Sequence, residues 1–320
     1  MKLTISKRDK DILRMLNKNS REPDSIIARE LKMSKQAVAY RIKKMQEKEL
    51  IRSFYTEFNL SKLGFNSYYI FLELEKITNK IENEIINSLI REENIGWIIN
   101  GIGKSNIILL VYAKNLQEFE DLYLKIRKAC SEYLRDAHFS ILTKSHKLSY
   151  RFLDLDLEGM QTEQFKPVNL DQEDKKLMKT LAQNARERIT TISKEAGMSI
   201  DVVRHRLKKL KTNNIINGFR MKLDVSKLGI EWHLVLLTLQ PIDEPAKKKF
   251  LTYLLNQKET YYLTSTVGAY DIIVDLQVAS STDIRDFIFR VRDKFPWAIK
   301  NFETLLIFKE YKLSYLPKLD

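Results

Sequence analysis

The sequence predicts an α+β chain in which two winged helix-turn-helix domains alternate with two ferredoxin-like (βαββαβ) domains. Three observations predict it. The 320 residues repeat without gaps at an offset of 165, the positive charge is confined to one short segment opening each repeat, and the hydrophobic periodicity changes from helical to strand-like after each of those segments.

The repeat is visible at both ends. Ser61-Lys62-Leu63-Gly64 recurs as Ser226-Lys227-Leu228-Gly229, and Lys147-Leu148-Ser149-Tyr150 recurs as Lys312-Leu313-Ser314-Tyr315. Of the 62 positions from 3 to 64, 20 are identical to their partners. Units of this size exceed solenoid repeats, so the chain reads as two copies of a two-domain module. The expected boundaries are 1–58 and 169–223 for the winged helices, 65–153 and 230–320 for the ferredoxin-like domains, and 154–168 for a polar linker that includes Gly159 and Pro167.

Each basic segment reads as three short helices. In the first copy Ile12, Leu13 and Leu16 share a face, Pro23-Asp24 opens a second helix carrying Ile27 and Leu31, and Met33-Ser34 breaks the pattern. Ser34 is a good N-cap for a third helix with Val38, Ile42 and Met45 on its inner face. The second copy repeats this with Leu177, Met178 and Leu181, then Ile192 and Ala196, then the cap Ser199 and Val203, Leu207 and Leu210. Gly197 supplies the tight turn that Lys32 occupies in the first copy.

Two helices joined by so short a turn form a helix-turn-helix, whose second helix enters the DNA major groove. The expected DNA-facing residues are Ser34, Lys35, Gln36, Ala39, Tyr40, Lys43 and Lys44 in the first copy. Gln suits bidentate contact with adenine, and Lys favours guanine or phosphate. In the second copy they are Ser199, Asp201, Arg204, His205, Lys208 and Lys209, with Ile200 beside them. Asp201 repels phosphate and Ile200 offers no hydrogen bond, so the two readers should differ in preferred half-site, or the second should bind more weakly. Arg41 and Arg206 match each other and are expected to clamp phosphate or brace the fold. Strand-like Ile51–Tyr55 and Ile216–Arg220 follow the third helices and resemble wings, with Arg52 and Arg220 placed for phosphates.

Charge supports this placement. Residues 1–55 hold 15 Lys+Arg against 7 Asp+Glu, and residues 168–220 hold 12 against 6. The formal net charge is +13, so the rest of the chain carries −1. Concentration in two matched segments points to a polyanion, here double-stranded DNA.

Beyond each basic segment the order becomes strand, helix, strand, strand, helix, strand. In the second copy the strands are expected near 231–240, 261–267, 271–279 and 299–309, and the helices near 245–257 and 282–294, with the first copy at the same offset. A ferredoxin-like sheet covers one face with helices and leaves the other to be buried. Intramolecular pairing of the two copies and pairing in a homodimer both satisfy that need.

Composition excludes other classes. Apolar residues make up 44% and charged residues 30%, which is globular. A single cysteine, Cys130, and four scattered His leave no disulfide or zinc framework, so neither metal nor cofactor is expected and a reducing, cytoplasmic (nucleoid-associated) location is. The N-terminus lacks a signal-peptide core, and the longest apolar runs, such as 107–113, are too short to span a membrane.

The order winged helix then ferredoxin-like domain, the Asp9…Leu16…Asn19-Ser20-Arg21 and Asp174…Leu181…Asn184-Ala185-Arg186 patterns, and the recurring Ser-Lys-Leu-Gly resemble the Lrp/AsnC family of bacterial and archaeal transcriptional regulators. The resemblance covers nearly the whole chain twice, as in a tandem archaeal form. It implies an effector site near a Gly-x-x-Asp turn between the second and third strands, for an amino-acid-like small molecule. Gly268-Ala269-Tyr270-Asp271 matches that pattern, whereas Gly103-Lys104-Ser105-Asn106 replaces the carboxylate by an amide. The alternative reading is a tight turn whose Asp caps backbone N–H groups.

Two enzyme readings are weaker. Gly101-Ile102-Gly103-Lys104-Ser105 is like the end of a phosphate-binding loop, but Ile98 stands where the first Gly is required. Siroheme decarboxylases share the fold of the family and cluster His with Arg or Tyr. Here His138, His146 and His233 are isolated and His205 lies on an expected recognition helix, so the chain is expected not to be an enzyme. Architectural, weakly specific DNA binding is the other alternative.

Overall fold

The computed structural model describes residues 2–148, 150–153 and 167–319. Most of the expected linker, 154–166, lies outside the described residues.

Each basic segment forms three helices: α1 (Lys7–Lys18), α2 (Asp24–Glu30) and α3 (Lys35–Glu47) in the first copy. The second copy has α6 (Gln172–Gln183), α7 (Ile189–Ala196) and α8 (Ile200–Thr212). The caps are those the sequence calls for. Ser34 Oγ accepts from Ala37 N–H and Ser199 Oγ from Val202 N–H, satisfying donors that a helix start leaves unpaired. Lys32 adopts φ +51° and Gly197 φ +66° at the turns before α3 and α8, a conformation that suits glycine and strains lysine.

The strands after these helices find their partners in the other copy. β1 (Ile51–Phe58) and β6 (Ile216–Leu223) pair with each other, antiparallel, in a two-stranded ribbon. Each lone strand satisfies its backbone on the other copy instead of on a hairpin of its own. The two helical triplets consequently share one core. Ile12, Leu13, Leu16 and Val38 of the first copy and Leu177, Met178, Leu181 and Val203 of the second are fully buried in the same cluster.

The remaining elements keep the expected ferredoxin-like order in both copies. The first has β2 (Asn66–Leu74), α4 (Asn79–Ile90), β3 (Ile95–Ile102), β4 (Ile107–Ala113), α5 (Leu116–Cys130) and β5 (Leu134–Lys147). The second has β7 (Glu231–Leu239), α9 (Glu244–Leu255), β8 (Thr260–Gly268), β9 (Ile272–Val278), α10 (Ser281–Lys294) and β10 (Ile299–Leu313). The two sheets pair intramolecularly, and edge to edge as well as face to face. β5 pairs with β2 through residues 134–141 and with β8 through 140–147, while β10 pairs with β7 through 299–306 and with β3 through 306–313. The result is a closed eight-stranded barrel, which leaves neither ferredoxin-like sheet with a free edge among the described residues.

Both faces of the strands are therefore buried. The outer faces pack under α4 and α5 in one copy and α9 and α10 in the other, around Ile70, Leu109 and Ile126 and around Val274, Phe250 and Phe287. The inner faces fill the barrel with Tyr69, Phe71, Trp97, Ile108, Leu234, Leu236 and Ile273. No helix among the described residues is long and apolar enough to cross a membrane.

Candidate nucleic-acid interface

With Val38, Ile42 and Met45 buried, α3 presents Lys35, Gln36, Ala39, Tyr40, Lys43 and Lys44 outward, all exposed. Tyr40 is 63% exposed, and the Lys44 ammonium lies 5.7 Å from its ring centroid. Lys43 makes only a 3.7 Å ion pair with Glu47, both side chains in solvent, a contact that contributes little. This face is a cationic surface around an exposed aromatic ring and a glutamine amide.

On α8 the same positions are exposed but differently charged. Arg204 pairs with Asp201 at 3.2 Å, and Lys209 lies 3.3 Å from Asp174. His205 and Lys208 are exposed, as are Ile200 and Val202 at 37% and 39%. Much of the cationic charge of α8 is already answered by carboxylates of its own copy, so this face offers a weaker field to phosphate than α3 does.

Arg41 and Arg206 brace the fold. The Arg41 guanidinium donates to Asp9 at 2.8 Å and to Ser6, the N-cap of α1. At the equivalent place Arg206 donates to Asp171, the N-cap of α6, at 2.7 Å, to Asp174 at 2.8 Å, and to Glu173. Each arginine thus ties a third helix to the start of the first helix of its copy. The Asp171 and Asp174 hydrogen bonds hold the Arg206 guanidinium well above its ordinary range and firmly charged. Burial opposes ionisation of Asp9, but Ser6 and Arg41 outweigh it and hold its carboxyl below the usual range.

The phosphate role expected of Arg220 is not available to it. Its guanidinium donates to Glu57 at 3.0 Å and to the carbonyl oxygens of Asn17 and Lys18. Glu57 is 1% exposed and also takes the Lys147 ammonium. Burial disfavours its charge, yet Lys147 and Arg220 together hold it below the ordinary carboxylate range. Arg52, in contrast, is exposed, on the first strand residue but one of the ribbon.

The Gly268–Asp271 turn and its first-copy counterpart Gly103–Asn106 make matching structural contacts. A Cβ on Gly268 would sit 2.5 Å from the Phe139 carbonyl oxygen, and one on Gly103 would sit 2.8 Å from the Thr304 carbonyl oxygen. These glycines let β5 and β10 cross over to the other copy. Asp271 Oδ2 accepts from Leu239 N–H at 2.7 Å, and Asn106 Oδ1 accepts from the equivalent Leu74 N–H. Amide and carboxylate do the same capping, so their difference does not mark one copy as a ligand site. Ala269 N–H donates to Phe139 O, Tyr270 is 5% exposed, and its hydroxyl donates to Glu303.

The two copies are held together by reciprocal bonds. Ser20 N–H donates to Phe219 O and Ala185 N–H to Phe54 O; Asn59 N–H donates to Ile215 O and Asp224 N–H to Leu50 O. Each pair maps onto the other by the 165-residue offset, the signature of an isologous two-fold interface built within one chain. Sequence reasoning found the Asn-Ser-Arg and Asn-Ala-Arg runs at these places but not their role, because the partners lie in the other repeat.

Comparison with known proteins agrees with this geometry. Residues 5–52 match the family model described as winged helix-turn-helix DNA-binding. The chain is 34% identical over 105 residues to the HTH-type transcriptional regulator Ptr1 of Methanocaldococcus jannaschii, a match covering 32% of this chain and 69% of that protein. It is 23% identical over 145 residues to the HTH-type transcriptional regulator FL11 of Pyrococcus horikoshii, covering 45% and 93%. In overall fold it is similar to the siroheme decarboxylase NirDL, with a TM-score of 0.66 at 14% identity over 98% of this chain and 94% of that one. That likeness shows the tandem fold alone. Over its N-terminal half, the chain belongs to the Lrp/AsnC-like family of winged helix-turn-helix regulators.

Proposed function

We propose that this protein is a sequence-specific, DNA-binding transcriptional regulator of the tandem Lrp/AsnC type. One chain supplies the two readers that a symmetric regulator obtains by dimerising. The observation that carries this reading is the shared core of the two helical triplets, which fixes α3 and α8 as a pair while their outward faces stay exposed. α3 is the principal reader, with Gln36 for base contact and Lys35, Lys43 and Lys44 for phosphate or guanine. α8 is the weaker reader, its Arg204 and Lys209 partly neutralised by Asp201 and Asp174. Half-sites on one face of the duplex lie about 10 bp apart, or a multiple of it, centre to centre.

A catalytic role is not part of this proposal. His138 pairs with Asp136 and His233 with Glu231, on different strands, and His205 lies on α8. Fluorescence anisotropy with a labelled random-sequence duplex tests the basic claim. Binding should weaken steeply as salt rises, because each displaced counterion adds to the slope, and a Lys35/Lys43/Lys44 triple alanine variant should flatten it by about 2–3. No binding at low salt would remove the DNA reading.

A further inference from the structure

Where the ribbon meets the barrel, the structure forms a partly open cavity of about 60 Å³ to which each of the ten strands among the described residues contributes a lining residue. Seven of its twelve lining residues are Tyr or Trp, among them Tyr69, Trp97, Trp232 and Tyr262. Tyr55 and Lys222 come from the ribbon beneath the helical triplets; the rest belong to the barrel or to Tyr315, just beyond its last strand.

The charges on this wall are unequally matched. Lys147 is held by Glu57 and by the Tyr55 hydroxyl. Lys222 is held by Glu310 at 2.6 Å, and its ammonium lies 4.3 Å from the Trp232 ring centroid. Asp275 differs. It is 5% exposed, accepts one hydrogen bond, from Trp232 Nε1 at 3.1 Å, and has no Lys, Arg or His nitrogen within 4.0 Å among the described residues. Burial pushes its carboxyl up to about 7. The Trp232 bond and the Lys222 ammonium on the same wall offset that only in part, so the buried carboxylate has no cation in contact and calls for one.

Nor does the fold require it. The residue equivalent to Asp275 by the 165-residue offset is Leu110, which lines the same cavity from the other copy. The barrel therefore accepts an apolar side chain at this position, and the carboxylate is present once, facing aromatic rings. A carboxylate among aromatic faces is the arrangement that selects an organic cation, through one charged hydrogen bond and cation–π contact.

We propose that this cavity is a binding site for a small organic cation, a short-chain primary ammonium whose charge is taken by Asp275 and whose chain lies against Trp97, Trp232 and Tyr262. A volume of about 60 Å³ accommodates about two water molecules at ~30 Å³ each, hence an ammonium carrying only one or two carbons. Because Tyr55 and Lys222 share the wall, an occupant touches the strands that carry the two readers. The site lies apart from the Gly268–Asp271 turn.

The test uses the full chain and ethylammonium, with ethanol and acetate at equal concentration and ionic strength, at pH 8. Trp97 and Trp232 line the cavity while Trp297 is 42% exposed, so tryptophan emission reports occupancy. Ethylammonium should produce a saturable change in emission and raise the melting temperature; ethanol and acetate should do neither. Asp275→Asn, which retains the acceptor for Trp232, should weaken ethylammonium binding at least tenfold. Asp275→Leu, copying Leu110, supplies a second variant with the same expected loss. A response equal in wild type and Asp275→Asn, an equal response to ethanol, or none to ethylammonium would overturn the proposal and leave a water-filled cavity. None of these readouts involves DNA, so this proposal and the regulator reading fail independently.

Discussion

Arg21 and Arg186 occupy the same position in the two copies, and each reaches across the pseudo-dyad into the other. Arg21 donates to Ala185 O at 2.6 Å, and Arg186 donates to Ser20 O, to Glu22 O at 3.0 Å and to the Asp24 carboxylate. Each guanidinium also faces an aromatic ring, Arg21 that of Phe219 and Arg186 that of Phe54. The pair is reciprocal but unequal, since the position equivalent to Asp24 is Ile189. Two readers locked by such bonds keep a fixed separation, and a fixed separation is what a two-part operator requires.

The inequality predicts different costs. Arg186→Ala removes two backbone contacts and leaves the Asp24 carboxylate without its cation, at about 3 kcal/mol. Arg21→Ala removes one charged bond to a carbonyl, at about 1.5–2 kcal/mol. Chemical denaturation of the two variants measures the difference; equal values would show that Asp24 contributes nothing.

Arg206→Ala should act on the fold and leave intrinsic DNA affinity nearly unchanged. It leaves Asp171 and Glu173 at the base of α6 without this guanidinium, and Asp174, which is 1% exposed, with Lys209 alone. A loss of about 2–3 kcal/mol follows, with DNA affinity per folded molecule within about twofold of wild type. Lys43→Ala should show the reverse pattern, and so should Arg52→Ala. Denaturation and anisotropy on the same samples separate the two behaviours.

Gln36→Ala should relax base preference at one position, by about 1–3 kcal/mol of discrimination if the contact is bidentate. His205→Ala should have a smaller effect, at the other half-site. Competition between single-base variants of one duplex reads both.

Asp271→Ala and Asn106→Ala should behave alike. Each removes one cap of a strand-end N–H, costing about 1–2 kcal/mol, because Leu239 and Leu74 lose the same bond. A ligand response lost in one variant and kept in the other would mark the turn as an effector site.

Asp275 gives the protein a pH signature. Its carboxyl titrates at about 7 in the folded chain against 3.8 for the unperturbed group, so between those values the folded state binds the extra proton. Its contribution is fully present below pH 3.8 and is lost as pH rises through 7. Asp275→Asn should therefore be more stable than wild type at pH 8, by on the order of 3 kcal/mol, with the gap closing towards pH 4. Melting curves across that range check the sign.

Local patterns in the sequence account for much of this architecture. The spacing of Val38, Ile42 and Met45 and the caps Ser34 and Ser199 place the third helices and their outward faces, and strand periodicity places β7 to β10 within a few residues. What escapes a local reading is pairing at long range. Ile51–Tyr55 carries a strand pattern whichever strand it joins, so its partner 165 residues away cannot be read from periodicity, and Arg220 then finds Glu57 instead of phosphate. β5 and β10 likewise reveal their length but not their crossing between copies. Asp275 was visible as a lone carboxylate in an apolar strand, Ile272-Ile273-Val274-Asp275-Leu276, a signal that marks a buried charge without naming its surroundings.

The central claim is that one chain holds two unequal readers at a fixed separation. Selection of bound duplexes from a random library at about 150 mM salt tests it most directly. The account predicts a two-part motif with constant spacing near a multiple of 10 bp, whose halves differ and whose stronger half is degraded by Gln36→Ala. Recovery of no motif, despite binding at low salt, would contradict it and make the protein an architectural DNA binder.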